Sequence, residues 1–477
     1  MNPIKASIER PIAVIAGVMM VVMFGWLGLV SIPIQLAPDV NKPVITVRTD
    51  WFGAAPAEIE REIVNKQEEA LKGLEGLESI ISRALPSRSE VTLEFTVSQN
   101  MDRALLLVAN RLDRVTGYPA EAEQPTFSTA GSEDNPIAWF TLIRAQGNER
   151  EVHTYGDFVE DFVREALERV PGIAQSNAFG GSEREIEVVV LPERLASYRL
   201  TVGEVIGALR SANVSFSAGA VEEGKRRYVV RTEGEFTTGD QISATVVRSS
   251  RDSESGRFGR VTIGDIARVN ETYKEPTARI RYLGQPAIAV NVVRETGANV
   301  IETMDGVREV VDKLNATVLP AEGLILRQVY DETVYINSAI DLVQNNILIG
   351  GTLAAFTLLI FLRSLRATLV VSLAIPVSVI GSFVAMAALG RSINVISLAG
   401  MAFAVGMVVD AAIVVLENIF RLRQSGMPVR QAAYLGASRV WGAILVSALT
   451  TVMAFIPILI MQLEVGQLFR DIAVAIS

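Results

Sequence analysis

The sequence predicts an α-helical membrane bundle that carries a large extracytoplasmic region of mixed α-helix and β-strand. Apolar stretches long enough to cross a bilayer lie near both ends of the chain, and the 477 residues have a mean hydropathy of +0.33. Between these stretches, residues 31–340 hold 34 of the 44 Lys and Arg and 47 of the 53 Asp and Glu. This distribution is typical of a folded polar region set between membrane spans.

The first predicted element is a transmembrane helix at 11–31. After Lys5 and Arg10, the run from Pro11 to Pro38 contains no charged side chain, and about twenty residues suffice to cross a bilayer. A cleaved signal peptide is the alternative interpretation. The apolar core is too long for one and lacks a clear small-x-small cleavage site.

Four more apolar runs predict spans at 342–362, 367–389, 393–416 and 436–463, and the start of a truncated sixth span at 472–477. If the N-terminus is cytoplasmic, most cations near the spans fall on the cytoplasmic side, as the positive-inside rule requires, and Arg391 and Arg470 fall outside. The cytoplasmic set is Lys5, Arg10, Arg363, Arg366, Arg421, Arg423, Arg430 and Arg439. Residues 31–340 are then extracytoplasmic.

The extracytoplasmic region opens with a pattern of strands and helices. Residues 91–97 alternate between apolar and polar, as a half-buried strand does, and apolar residues in 101–115 recur at helical spacing. A strand, a helix and a second strand precede them, which gives a βαββα order over 39–135. This order indicates a ferredoxin-like unit.

The same pattern restarts at 136–181 and is completed by a strand, a helix and a strand at 276–330. A second ferredoxin-like unit is therefore predicted from two separate stretches. The residues between them, 182–275, are predicted to be an insertion. Their alternation near Val214–Arg231 indicates a projecting β-hairpin.

Asp410 is the only ionisable residue in the apolar run 393–416. A charge inside the membrane costs several kcal/mol, so such a residue usually faces the bundle interior and takes part in ion or proton movement. Helical spacing places Phe403, Gly406 and Glu417 on its face. We predict that Asp410 is a proton relay, the alternative being a protonated aspartate that only hydrogen-bonds to a neighbouring helix.

Five short motifs follow one another along the chain: Pro33-x-x-Leu36-x-Pro38, Leu191–Tyr198, Tyr330-Asp331, Asp410–Asn418 and Ala448–Pro457. Together they resemble the resistance-nodulation-division (RND) exporters, and the resemblance covers essentially the whole chain. It implies that 39–135 is a first porter subdomain and that 136–181 with 276–330 is a second. By the same resemblance, 182–275 is an inserted docking subdomain.

The resemblance also implies a function. RND exporters use the proton motive force to export amphiphilic and hydrophobic compounds, as the inner-membrane pump of a tripartite efflux system. The implied partners are two further copies in a homotrimer, a periplasmic adaptor protein, an outer-membrane channel and membrane lipid. The implied location is the bacterial inner membrane, with several spans and a large periplasmic domain.

The chain departs from the family pattern in three respects. Complete family members carry two such halves, and the basic partner of the relay lies in the second. Ala411 stands where many drug exporters have a second aspartate. A single aspartate also occurs in metal-ion exporters of the superfamily, which remain an alternative, as does a truncated membrane protein that does not transport.

Three aromatic residues are candidates for substrate binding. Phe179 matches a position that lines the drug pocket in multidrug members of the family, and Trp139 and Phe140 lie on the strand expected beside it. Aromatic faces suit bulky apolar ligands. The alternative is that these rings fill the core of the subdomain.

Composition excludes several other classes of function. The chain has no cysteine, so disulfides, thiolate metal sites and cysteine nucleophiles are excluded. A phosphate-binding Gly-Lys-Ser/Thr loop is missing from the sequence, which argues against ATP as the energy source. The acidic insert argues against nucleic-acid binding. With the resemblance to RND exporters, these exclusions lead us to expect a secondary active transporter without a cofactor, not an enzyme.

Overall fold

The computed structural model describes residues 3–38, 43–97, 99–130, 135–223, 226–232, 234–251, 258–461 and 463–477. Within these residues, five helices are long and apolar enough to cross a membrane, in the order that the sequence predicts. They are named spans 1 to 5 and run Pro11–Ser31, Glu332–Leu362, Leu365–Ala388, Val395–Gln424 and Val429–Ile460. A C-terminal helix, Glu464–Ile476, follows span 5 and begins eight residues before the predicted start at 472.

Spans 2 and 4 are longer than their apolar runs. Span 2 begins at Glu332, ten residues before the predicted start, because Asp331 caps it by accepting the backbone N–H of Thr333 at 2.9 Å. Span 4 continues past 416 to Gln424, through Glu and Arg residues that have high helix propensity. Hydropathy detects the apolar part of a span, and the helical hydrogen bonds continue beyond it.

Glycines bring the spans into backbone contact, as two examples show. Gly25 of span 1 lies against Ile380 of span 3, where a Cβ would overlap the Ile380 carbonyl. Gly436 of span 5 lies against Ile419 of span 4, and the Nδ2 of Asn418 donates to the Gly436 carbonyl at 2.7 Å. Small residues allow this close approach where lipid gives helices no hydrophobic reason to associate.

The first α+β unit (residues 43–130) contains one antiparallel sheet. Its strands are β1 (Val44–Asp50), β2 (Leu77–Leu85), β3 (Arg88–Phe95) and β4 (Thr126–Ala130). Helical residues 56–71 connect β1 to β2, and the helix Met101–Leu112 connects β3 to β4. The strand order across the sheet is β2-β3-β1-β4. The structure thus has the predicted βαββα order and adds a final strand.

The second α+β unit (residues 135–181 and 276–331) begins with β5 (Pro136–Arg144), helical residues 152–168 and β6 (Ile173–Phe179). After the inserted segment come β13 (Ile280–Tyr282), β14 (Gln285–Arg294), the helix Val300–Ala316 and β15 (Leu324–Asp331). β14 lies between β6 and β5, and β15 pairs with the other edge of β5, all antiparallel. The two α+β units therefore share one strand order.

The inserted segment (residues 182–275) leaves the second α+β unit between β6 and β13. Its strands are β7 (Arg184–Val190), β8 (Phe216–Glu223), β9 (Arg226–Thr232), β10 (Val246–Arg251), β11 (Phe258–Thr262) and β12 (Ala267–Tyr273). β7 pairs with β12, which closes the segment at its base. β8 and β9 form the predicted hairpin, whose tip at Gly224 and Lys225 lies outside the described residues.

Candidate functional site

Span 4 holds the predicted relay carboxylate in a helix with a defined start. The Oδ1 of Asn394 accepts the backbone N–H of Ser397, and the Oγ of Ser397 accepts the backbone N–H of Asn394, each at 2.9 Å. This reciprocal cap satisfies two backbone donors at the N-terminus. The last turn contains Arg421 and Arg423, whose positive charges interact favourably with the negative end of the helix dipole. Asp410 lies midway along this helix.

Asp410 opens onto a cavity of about 880 Å³ between spans 2, 3 and 4, here named the span 2–4 groove. The polar residues at its wall include Asn346 of span 2 and Gln424 at the end of span 4, neither of which was predicted. Most of the remaining wall is apolar. Gly406 lies on the wall one turn before Asp410, and a Cβ placed on it would meet no atom within 4 Å. The groove therefore leaves room beside Asp410.

The predicted face of span 4 is only partly correct. Gly406 and Glu417 line the groove together with Asp410, as expected. Phe403 does not, and it is 61% exposed on the outer surface. A straight helix drifts by about 20° per heptad, so Phe403 and Glu417 are offset to opposite sides of Asp410, and only Glu417 lies on the side that lines the groove. The prediction for Phe403 was wrong.

Asp410 has no hydrogen-bond or ion-pair partner within the part of the chain that the structure describes. Arg421, a cation of the groove wall, donates instead to the Oδ1 of Asn418 at 2.7 Å. Asn418 is buried and holds span 5 through the Gly436 carbonyl. The contact at this end of span 4 is thus made by Asn418, while Glu417 lines the groove.

The three candidate aromatic residues separate into two environments. Successive side chains of a strand point to opposite faces, so Trp139 and Phe140 of β5 cannot share one. Phe140 is 1% exposed in the core of the second α+β unit. For Phe140 the structure corrects the substrate-binding assignment, because a ring enclosed by the core has no surface to offer a ligand.

Trp139 and Phe179 lie on the other face of the same sheet. Their ring centroids are 5.7 Å apart with the planes tilted by 33°. Trp139 is half-buried and Phe179 is 38% exposed. β14 runs between their strands and pairs its Asn291 with Trp139 and its Ala289 with Phe179. The pair is therefore a partly exposed aromatic surface on a rigid sheet.

A buried carboxylate outside the groove was missed by sequence reasoning. Asp471, on the C-terminal helix, is 3% exposed and accepts from the Nδ2 of Asn394 at 2.6 Å. It follows Arg470 in an otherwise apolar stretch. An ionisable residue among apolar neighbours is the signal that identified Asp410, and it could have identified Asp471 too.

Within the described residues, no group of three or more His, Cys, Asp or Glu side chains could hold a metal ion.

Comparisons with known proteins agree on one family for this chain. The sequence profile of the AcrB/AcrD/AcrF family matches residues 3–477. The multidrug resistance protein MdtC of Proteus mirabilis is 29% identical over 475 residues, which cover 98% of this chain and 45% of that protein. The MdtC proteins of Pectobacterium atrosepticum and Shigella flexneri match at 29% identity with the same shares of each chain. The chain thus spans about half the length of these curated relatives.

Proposed function

Because the chain belongs to the AcrB/AcrD/AcrF family of RND proteins, we propose that it works in a proton-driven exporter of amphiphilic and hydrophobic compounds. The relatives are named as multidrug resistance proteins, which favours this substrate class over the metal-ion alternative. The proposed role is that of a secondary active proton antiporter rather than an enzyme.

The single observation that carries the proposal is Asp410 in the span 2–4 groove. The carboxyl group lies midway along a helix with the composition of a membrane span, beside open space, and without a partner in the described chain. Desolvation favours a protonated carboxyl group, and an approaching cation favours the carboxylate. A basic side chain that enters and leaves the groove would therefore release and restore one proton in each cycle.

The α+β units supply the proposed path for substrate. We assign residues 39–135, and 136–181 with 276–330, as ferredoxin-like porter subdomains, which the shared strand order supports. The inserted residues 182–275 are assigned as the docking subdomain, whose β8–β9 hairpin would reach a neighbouring copy. Trp139 and Phe179 are the proposed substrate-binding residues, since adjacent, partly exposed aromatic rings suit bulky apolar ligands.

The proposed assembly is a homotrimer in the bacterial inner membrane with its α+β units in the periplasm. A periplasmic adaptor and an outer-membrane channel would complete the path out of the cell. The five candidate spans and the family support this arrangement.

The test is the change Asp410→Asn in the full-length product of the gene that encodes this chain. Asparagine nearly matches aspartate in shape and cannot titrate, so energised efflux of a fluorescent hydrophobic dye should be lost at normal protein level. Glu417→Gln is the matched control: this residue lines the same groove two turns closer to the end of span 4, and most activity should remain. Efflux by Asp410→Asn that a protonophore still abolishes would refute the relay.

A further inference from the structure

The buried carboxylate Asp471 lies outside the span 2–4 groove and has no part in the proposed proton step. Besides the bond from Asn394, its Oδ1 lies 3.8 Å from the guanidinium of Arg391. Its side chain is almost fully buried, whereas that of Arg391 is about one-third exposed. A buried charge is costly unless it is paired and hydrogen-bonded. Asp471 is therefore tied to the link between spans 3 and 4.

Asn394 connects this carboxylate to the start of span 4. Its Oδ1 accepts the backbone N–H of Ser397. The two N–H groups of its Nδ2 need acceptors of their own. The Nδ2 donates to the Oγ of Ser392 at 2.9 Å and to the Oδ2 of Asp471 at 2.6 Å. Because Asn394 is 1% exposed, water cannot easily replace these acceptors. Asp471 thus fixes the amide that caps span 4.

The same link is joined by backbone hydrogen bonds to residues 33–36, which follow span 1. The N–H of Ile393 donates to the Pro33 carbonyl and the N–H of Gln35 to the Ile393 carbonyl, both at 3.0 Å. The Nε2 of Gln35 donates to the Oγ of Ser392 at 2.6 Å. These hydrogen bonds therefore fix the position of the start of span 4 relative to the segment 33–36.

The segment 33–36 in turn contacts the second α+β unit. The Ile34 carbonyl accepts the N–H of Val300 at 3.0 Å, and Val300 is the first residue of the helix Val300–Ala316. Ile34 and Leu36 also pack against the core of that unit. A continuous set of hydrogen bonds thus runs from Asp471 through the cap of span 4 to the second α+β unit.

We propose that Asp471 is a positioning residue that fixes the start of span 4 to the second α+β unit, so that movement of the helix carrying Asp410 is transmitted to the substrate path. This inference rests on the proposed function. Asp410 lies about 24 Å along the helix axis from Asn394, at 1.5 Å per residue. The helix between them is continuous, so a shift at Asp410 reaches the cap.

The test measures the distance between two spin labels in the full-length protein. Residues 1–477 contain no cysteine, so Ala321→Cys in the second α+β unit and Ser425→Cys after span 4 would be their only two thiols, and any cysteine elsewhere in the full-length protein would be replaced by serine. In the parent, Asp410→Asn imitates the protonated state and should shift the distance distribution. In Asp471→Leu the shift should be absent, and dye efflux should fall at least about fivefold.

Two further variants separate positioning from packing. Asn394→Ser keeps a good N-cap residue but removes the amide that reaches Asp471, and it should reproduce the loss seen in Asp471→Leu. Asp471→Asn keeps an acceptor for Asn394 and should restore most of the shift. Asp312→Asn removes an exposed carboxylate of the helix Val300–Ala316 and should change neither the shift nor the efflux.

The inference is overturned if Asp410→Asn shifts the distance as much in the Asp471→Leu and Asn394→Ser proteins as in the parent. It is also overturned if the parent shows no shift, because there would be no movement to transmit. Failure of the proposed function is read separately: the Asp410→Asn protein would then keep protonophore-sensitive efflux.

Discussion

The two α+β units share a strand order but differ in what their cores contain. Within the described residues, the core of the first unit is built from its own strands and helices, such as Ile45, Leu93 and Val108. The core of the second unit includes Ile336 of span 2, and Ile34 packs against it. One fold thus appears once as a self-contained unit and once fused to the membrane helices. The second unit is placed to receive movement from the spans directly.

The connection between the second and third strands is the other difference. In the first unit a tight turn joins β2 to β3, with Ser87 in the left-handed region at a φ of 64°. In the second unit the inserted segment leaves at this point, and its exit is crowded. A Cβ on Gly156 would overlap the backbone of Ser182.

The largest expected effect is the loss of stability when a side chain is added where the inserted segment leaves the second unit. Gly156→Val should lower the free energy of unfolding by about 3 kcal/mol, because the obstacle is backbone that cannot rotate away. Thermal unfolding of the purified protein in detergent measures it. Gly207→Ala is the control, since a Cβ on that helical glycine meets nothing within 4 Å, and it should be neutral or stabilising. Equal melting temperatures for the parent and Gly156→Val would contradict the crowded exit.

A smaller effect is expected from removing an aspartate side chain in each unit, Asp331 in the second and Asp50 in the first. Asp331 accepts from the guanidinium of Arg308 at 2.7 Å and caps span 2, whereas Asp50 accepts from Arg48 and Arg88 within the first unit. Either change to alanine should cost about 1–2 kcal/mol of stability. Asp331→Ala should also lower dye efflux per folded molecule, and Asp50→Ala should not. Equal efflux by the two variants would show that the junction with span 2 is passive.

The pH dependence of these two variants has a defined sign. Burial alone would raise the pKa of Asp331, but hydrogen bonds from Thr333 and Arg308 lower it below the ordinary value. For Asp50 burial is likewise outweighed by Arg48 and Arg88, and the pKa is lowered. A lowered pKa means that the stability is present above the unfolded value and is lost as the pH falls through the folded one. The penalty of each substitution should be full at pH 7 and shrink below about pH 4.

The smallest expected effect compares two equally exposed aromatic residues. Phe179 in the second unit and Phe127 in the first are each 38% exposed. Phe179→Ala removes the ring that lies beside Trp139, and we expect the dye concentration at half-saturation to rise roughly fivefold, equivalent to about 1 kcal/mol. Phe127→Ala should leave it unchanged. Similar transport kinetics in both variants would remove Phe179 from the proposed substrate path.

Much of the fold follows from periodicity in the sequence. The alternation around Val91 and Leu93 predicts β3, and the spacing from Met101 to Leu112 predicts the helix that follows. The ends of helices and strands are harder to predict from the sequence than their existence. The early start of span 2 depends on Asp331, whose role as a cap is visible only once its carboxylate reaches the Thr333 N–H.

The candidate site, like the fold, could be predicted from the sequence only in part. One charge in an apolar run identifies Asp410, but which side chains of span 2 face it depends on how that helix is rotated, so Asn346 could not be named. Alternation separates Trp139 from Phe140 without saying which of the two faces the core. Tertiary packing decides that, and it encloses Phe140.

The contact between Gly25 and Ile380 has a consequence for biosynthesis. Both α+β units lie between these two residues in the chain, so span 1 is made long before the helix it rests against. Synthesis proceeds from the N-terminus, and a contact between distant parts of a sequence forms late. Span 1 must therefore remain in lipid without this partner until synthesis has reached span 3. Span 1 contains no charged side chain, so it can remain in the bilayer before span 3 packs against it.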